Sequence, residues 1–304
     1  MNVARNVVLA AVSAISLFAA ADTAAQWQTD LLAWRAHREQ RLAAPDGWLT
    51  LVGLDWLKPG PNTIGSAPDN RIQLAAPAPA YLGIVTVQGS DVTLAPPPGG
   101  FPTGIQVDGA APRATKLADD AAPKPTVVST GSLSFYVIHR GDRYALRVKD
   151  TQAPTRVNFH GLHWYDPDPH YVVQARWTPF HPPHILKIPS IIGVVDDMPA
   201  PGEAQFTLDG QTLSLVPVLE DPGAKQLFFI LRDTTSRSTS YGAARFLYTA
   251  FPDHGLDRPG ELTLDFNHLQ NPPCAYTPYA TCPLPPEQNR LAIALPVGEK
   301  KYSH

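Results

Sequence analysis

The spacing of apolar residues changes from helical to alternating at Gly47. Before it, Trp27, Leu31, Trp34 and Leu42 recur near one helix face. Arg35, Arg38, Glu39 and Arg41 fall mostly on the opposite side. The pattern predicts a helix from Trp27 to Ala44 that packs on the body, stopped by Pro45-Asp46-Gly47. Beyond Gly47 short apolar runs alternate with turn residues. Trp48 to Val52 reads as a strand, and Leu82 to Val87 with Val92 to Leu94 as a hairpin. Ile105-Gln106-Val107 leads into the turn dipeptide Asp108-Gly109. Leu133 to His139 and Arg143 to Val148 form another hairpin. Closely spaced strands with turn signals predict a β-sandwich over residues 47–150.

From Asp150 to Pro201 prolines break the rhythm, with one strand expected at Tyr171 to Thr178 and another within Ile185 to Val195. Further strands are expected at Gln205 to Leu208, Thr212 to Val218, Gln226 to Arg232, Ala244 to Thr249, Glu261 to Phe266 and Leu291 to Leu295. The fold class is therefore mostly β. An N-terminal helix (26–46) precedes the sandwich (47–150), and a second antiparallel β domain (151–304) carries a Pro/Cys-rich loop.

Composition agrees with this. Of 304 residues, 33 are proline, which disfavours a mostly helical chain. The net charge is −3, from 24 basic and 27 acidic residues, so no basic balance points to nucleic acid. Residues 1–25 read as an export signal. Arg5 precedes an apolar run from Val7 to Ala21, and small residues around Thr23-Ala24-Ala25 mark a cleavage site. The alternative is an uncleaved anchor, but the run is short for a span of about 20 residues. No later segment is long and apolar enough to span, so no membrane span is expected after cleavage. The expected location is periplasmic or secreted.

Both cysteines, Cys274 and Cys282, sit in the proline-rich loop with seven residues between them. Three readings stand. A disulfide suits an exported chain and is worth about 2–3 kcal/mol. A metal site lacks the usual short ligand pairing. A nucleophilic thiol would need a base such as His254 or His268.

Two resemblances follow from longer motifs. Thr63-Ile64-Gly65-Ser66, Asn70-Arg71-Ile72-Gln73-Leu74 and Val107-Asp108-Gly109 resemble a forkhead-associated (FHA) sandwich. That family binds phosphothreonine with an Arg, a loop Ser and an Asn-Gly turn. Here Ser66, Ala80-Tyr81-Leu82-Gly83 and Asp108 occupy those places, so no phosphopeptide partner is expected. The mature chain also resembles the DUF1684 family of unknown function. Arg232-Asp233-Thr234-Thr235, Tyr241-Gly242, Arg245-Phe246-Leu247-Tyr248, Asp265-Phe266-Asn267, Asn271-Pro272-Pro273-Cys274-Ala275 and Cys282-Pro283-Leu284-Pro285-Pro286 carry the match. Asn289-Arg290-Leu291 and Gly298-Glu299-Lys300 extend it, with earlier matches at Gly47-Trp48-Leu49, Gly53-Leu54, Arg147-Val148-Lys149-Asp150 and Phe159-His160-Gly161. His268-Leu269-Gln270 stands where the family more often has an Arg-Ala-Tyr-like run. The resemblance implies a two-part β architecture and no established activity.

The late polar residues are the candidates for function. If the strands that carry them are adjacent, Arg232, Asp233, Arg245, Asp265, Arg290 and Glu299 meet at one mouth of a sheet, with Tyr241, Asn267, Asn271 and Asn289 as further ligand-binding candidates. Arginine forks there suit a small polar or anionic ligand. The competing reading is an ion-pair network that pins loops. A hydrolase would use Asp265 or Asp233 as general base, with the arginines stabilising developing charge. A purely structural envelope module is a third possibility. His160, His163, His181 and His184 are weak metal candidates, because Pro182 and Pro183 split the second pair. No common catalytic motif is present, so whether the protein is an enzyme stays open and the cofactor stays unknown.

Overall fold

The computed structural model describes residues 24–75 and 77–303. The candidate export signal lies almost wholly outside them. Helix α1 covers residues 24–42. Trp27, Leu31, Trp34 and Leu42 face the body, as the apolar spacing requires. Arg35, Arg38 and Glu39 turn inward too, which corrects their assignment to the polar side. Glu39 accepts from Trp164 Nε1 at 3.0 Å, and Arg38 pairs with Glu299 at 2.8 Å. Inward charge is tolerated where it is paired, as at Arg38. Arg35 has no ion-pair partner among the described residues and lies over the Trp164 ring, 4.8 Å from its centroid.

The sandwich begins with β1 (Leu51–Trp56), β2 (Gly60–Gly65), β3 (Ile72–Gln73), β4 (Gly83–Gln88) and β5 (Asp91–Ala95). It continues with β6 (Ile105–Val107), β7 (Thr115–Lys116), β8 (Val128–Thr130), β9 (Leu133–Arg140) and β10 (Arg143–Asp150). Trp48–Thr50 is a 3-10 turn and not the start of a strand, because Thr50 Oγ1 donates to the Gly47 carbonyl at 2.6 Å. One sheet has the order β1-β10-β9-β8-β6 and the other β3-β2-β4-β5-β7. Ile64, Val85 and Leu94 of one sheet pack against Phe135, Leu146 and Val148 of the other. Asp108 and Gly109 both take positive φ, as the turn dipeptide predicts, and Asp209-Gly210 repeats this.

After a short helix α2 (Pro154–Val157), the C-terminal body is built from β11 (Val172–Pro189), β12 (Val195–Leu208) and β13 (Gln211–Leu215). β14 (Leu227–Leu231), β15 (Arg245–Thr249) and β16 (Gly260–Asp265) complete it. The two strands expected between residues 171 and 195 are one bent strand. Its register shifts between Pro179 and His184, so Pro182 and Pro183 sit where the ladder is interrupted. The sheet order is β13-β12-β11-β16, and β14 pairs with β15 in a separate ribbon. All five residues of β14 are buried. Leu227, Phe229 and Leu231 face the main core with Trp177, Phe206 and Leu264, while Phe228 and Ile230 face a second cluster with Phe246. Leu42 of α1, Leu49 and Tyr276 join all three parts in a small cluster.

The strand expected at Leu291 to Leu295 is absent. That segment is extended, but its backbone bonds go elsewhere. Leu291 N–H donates to the Arg232 carbonyl, Thr234 N–H donates to the Ile293 carbonyl, and Leu295 N–H donates to the Asp233 carboxylate. Side chains and single bridges have replaced a ladder.

Candidate functional site

The structure places the late polar residues at separate points along the chain. Arg245 opens β15 and is fully buried. Its Nη1 donates to Asp233 Oδ2 and to the Leu295 carbonyl, both at 2.8 Å, and its Nη2 donates to the Val297 carbonyl. Asp233 Oδ1 accepts from Thr235 N–H at 2.8 Å and from Leu295 N–H at 3.2 Å. Asn289 Oδ1 accepts from Val216 N–H, and its amide donates to the carbonyls of Val216 and Ile230. Asn267 holds Asp168 in the same two-way manner. Tyr241 donates to the Cys274 carbonyl at 3.1 Å. Arg232 and Arg290 meet through their backbones in a bridge, and Arg290 is exposed.

Asp265 ends β16, but residues 266–268 turn into a 3-10 helix, so Asp265 and Asn267 do not share a strand face. Asp265 caps that turn and accepts from Trp27 Nε1 at 2.8 Å, with His268 Nδ1 3.1 Å away. Burial pushes its carboxyl up, but the hydrogen bonds from His268, Trp27 and Asn267 outweigh this and hold it below the ordinary value. These residues tie segments together and do not converge on one opening. Of the nine candidates, Asn271 alone lines the cavity at the junction of the sandwich, α1 and the C-terminal body.

That cavity, about 420 Å³, lies where the sandwich, α1 and the C-terminal body meet. Arg140 and Arg147 come from the outer face of the β9–β10 hairpin, and Trp48 from the turn before β1. Arg38 and Leu42 come from the end of α1. Phe228, Phe246, Tyr248 and Met198 form an apolar side from the body. Pro273, Thr281, Cys282 and Pro283 of the proline-rich loop form a wall between them. Cys274 and Cys282 are joined in a disulfide, with Cα atoms 6.2 Å apart, so neither is a free thiol or a metal ligand. The loop reaches the sandwich through Thr281 Oγ1, which accepts from Arg140 Nε at 3.2 Å and from Arg147 Nη2 at 3.3 Å.

The three arginines are not equivalent. Arg38 is paired with Glu299 and also donates to the Asn271 carbonyl and the Tyr276 hydroxyl. Burial works against its charge, but Glu299 and Tyr276 raise its pKa above the ordinary value. Arg140 is paired with Asp120 at 2.7 Å. Arg147 is only 4% exposed, and among the described residues it has no carboxylate partner. Its Nη1 donates to Tyr136 at 3.3 Å, its guanidinium lies 5.4 Å from the Trp48 ring, and its Nε has no partner. Asn271 shows the reverse. Its amide donates to Glu299 Oε1 and the Lys300 carbonyl, which fixes its orientation and leaves Oδ1 buried without a donor. On the body side, burial raises the Glu220 carboxyl, and Tyr248 donates to it at 3.3 Å. Burial and then Glu220 push the Tyr248 hydroxyl up in turn.

Among the described residues no three His, Cys, Asp or Glu side chains gather as metal ligands. The His184 ring stacks on Phe180 at 3.9 Å. No helix among the described residues is long and apolar enough to cross a membrane. At the positions compared with FHA domains, Ser66 donates to the Ala78 carbonyl and Asp108 accepts from Val127 N–H. Arg38, Arg140 and Glu220 are cavity residues that motif reading did not single out, while Trp48, Arg147 and Tyr248 appeared only within the family resemblance and with no site role. One signal was available. Ala145 interrupts the charged outer face of β10 between Arg143 and Arg147, and the structure buries it together with Arg147.

Comparison with known proteins gives a family model described as "Protein of unknown function (DUF1684)" over residues 157–300. The curated proteins yield no match. Among solved structures, the uncharacterized protein from gene locus rrnAC0354 of Haloarcula marismortui is 34% identical, over 48% of this chain and 78% of that one, with a TM-score of 0.41. An FHA domain from work on phosphothreonine-dependent FHA interactions is 19% identical, over 33% of this chain and 96% of that one, with a TM-score of 0.22. The FhaA FHA domain, in complex with the intracellular domain of Rv3910, is 18% identical over 32% and 97%, with a TM-score of 0.22.

Proposed function

Because this chain belongs to the DUF1684 family, whose description assigns no function, we propose a function from its cavity: it binds a small organic anion between the sandwich and the C-terminal body. Arg147 carries the reading. A buried guanidinium without a counter-charge costs several kcal/mol unless something pairs with it. Arg38 and Arg140 already have carboxylate partners, so the unmet demand is Arg147's. Thr281 Oγ1 accepts from two arginines, which leaves its own proton to donate to the same anion. The aromatic side supplies an apolar surface for the rest of the ligand.

This reading moves the ligand from Arg245 to Arg147. A hydrolase with Asp265 or Asp233 as base draws no support from the geometry, since the oxygens of both already accept hydrogen bonds and neither lines the cavity. Export to the periplasm or beyond belongs to the same proposal, supported by the disulfide and the leader-like first residues.

The test is calorimetric and thermal-shift binding with a panel of small carboxylates and phosphates, on the whole chain and on Arg147→Met. A ligand at a hundred times its Kd should stabilise the parent protein by about 2.7 kcal/mol and leave the variant unshifted. No shift by any anion at millimolar concentration, or an equal shift in the variant, removes the proposal.

A further inference from the structure

Two residues that line the cavity each carry a buried orphan atom: Arg147 Nε is a donor without an acceptor, and Asn271 Oδ1 is an acceptor without a donor. A simple anion answers only the first. The second asks for a group that donates, and the charges around the cavity say which kind. Glu220 and Asp196 belong to its wall, and neither forms an ion pair with a Lys, Arg or His among the described residues. With Arg38 and Arg140 neutralised by Glu299 and Asp120, the remaining charges are positive at Arg147 and negative at Glu220 and Asp196. They sit on different parts of the fold: Arg147 on the sandwich, the two carboxylates on the body. The same cavity is lined by the apolar side chains of Phe228, Phe246 and Met198.

We propose that the ligand is an amino carboxylate, a free amino acid or very short peptide with an apolar side chain. This rests on the anion-binding reading and adds a second charge to it. The carboxylate pairs with Arg147 and takes the Thr281 hydroxyl proton. The ammonium pairs with Glu220 and donates to Asn271 Oδ1. The side chain lies on the phenylalanines. Such a ligand offers each orphan atom a partner of the right kind, reached by a small side-chain adjustment, and adds no net charge to a cavity that already holds both signs. Glu220 is partly open to solvent, yet desolvation by its surroundings still raises its carboxyl, and an ammonium beside it supplies a counter-charge.

Calorimetry with phenylpropionate, phenethylamine, phenylalanine and phenylalanyl-phenylalanine on the full chain tests this. At least one of the two amino carboxylates should bind about tenfold or more tighter than either singly charged probe. Glu220→Gln should erase that advantage and leave phenylpropionate binding intact. Arg147→Met should weaken every carboxylate. Equal binding of phenylpropionate and the amino carboxylates, unaffected by Glu220→Gln, overturns the amino carboxylate and leaves the anion site standing. Absence of binding by all four probes also overturns it, while the wider anion panel still decides the site. Unfolding curves of both variants matching the parent show that any loss is local.

Discussion

Arg245 donates to Asp233 at 2.8 Å, and neither side chain reaches solvent. The same two side chains hold the extended 291–297 segment against β14 and β15, through the carbonyls of Leu295 and Val297 and the N–H of Leu295. Arg245→Ala therefore leaves a buried carboxylate without its counter-charge. Urea unfolding should show a loss of about 3–5 kcal/mol. A loss below about 1 kcal/mol would mean that the pair is dispensable to the fold.

Arg38 is the corresponding pin for α1. It faces Glu299, which is 1% exposed, and Tyr276, whose hydroxyl is pushed well up by burial and by that carboxylate. Arg38→Met should lower stability by about 3 kcal/mol and make residues 24–46 the first site of limited proteolysis. Cleavage starting elsewhere would show that the helix is held by its apolar contacts alone.

The disulfide closes a short loop, so its contribution is modest, about 2–3 kcal/mol in the chain-entropy model. Replacing Cys274 and Cys282 with serine should lower stability by that amount and leave the far-ultraviolet circular dichroism unchanged. Thiol titration of the denatured parent protein should find no reactive thiol before reduction and both cysteines afterwards.

Asp265 sets a pH dependence. Its folded pKa lies below the ordinary value near about 3.9, so the fold binds the ionised form better. The resulting stability is fully present above that unfolded value and is lost as the pH falls through the folded one. Asp265→Asn should unfold more easily at pH 7 and show a shallower loss of stability in acid. A parallel acid profile in both proteins would show that other carboxylates dominate.

The sequence pattern disclosed most of the architecture because it depends on local rules. The Asp-Gly turns, the β9–β10 hairpin and the apolar run of β14 are each written in a few adjacent residues. It failed where side chains replaced a ladder, at 291–297, and where prolines interrupted a strand without ending it, in β11. The polar cluster illustrates the limit for function. Arg245 and Asp233 have the chemistry of an anion site, and only burial shows that the anion is already present. Arg147 fell within the family resemblance, but no sequence signal assigned it a site role. Its lack of a carboxylate partner is a property of what packs on the β9–β10 hairpin from more than a hundred residues away, where Thr281 offers it a hydroxyl instead.

The cavity has one further consequence. Its sides belong to parts of the chain that touch only when the sandwich and the C-terminal body are docked, so it exists in the docked arrangement alone. A molecule that fills it touches both parts at once and so adds binding free energy to their docking. With the cavity filled, the sandwich and the body should melt as one cooperative transition. With it empty, their transitions are free to separate.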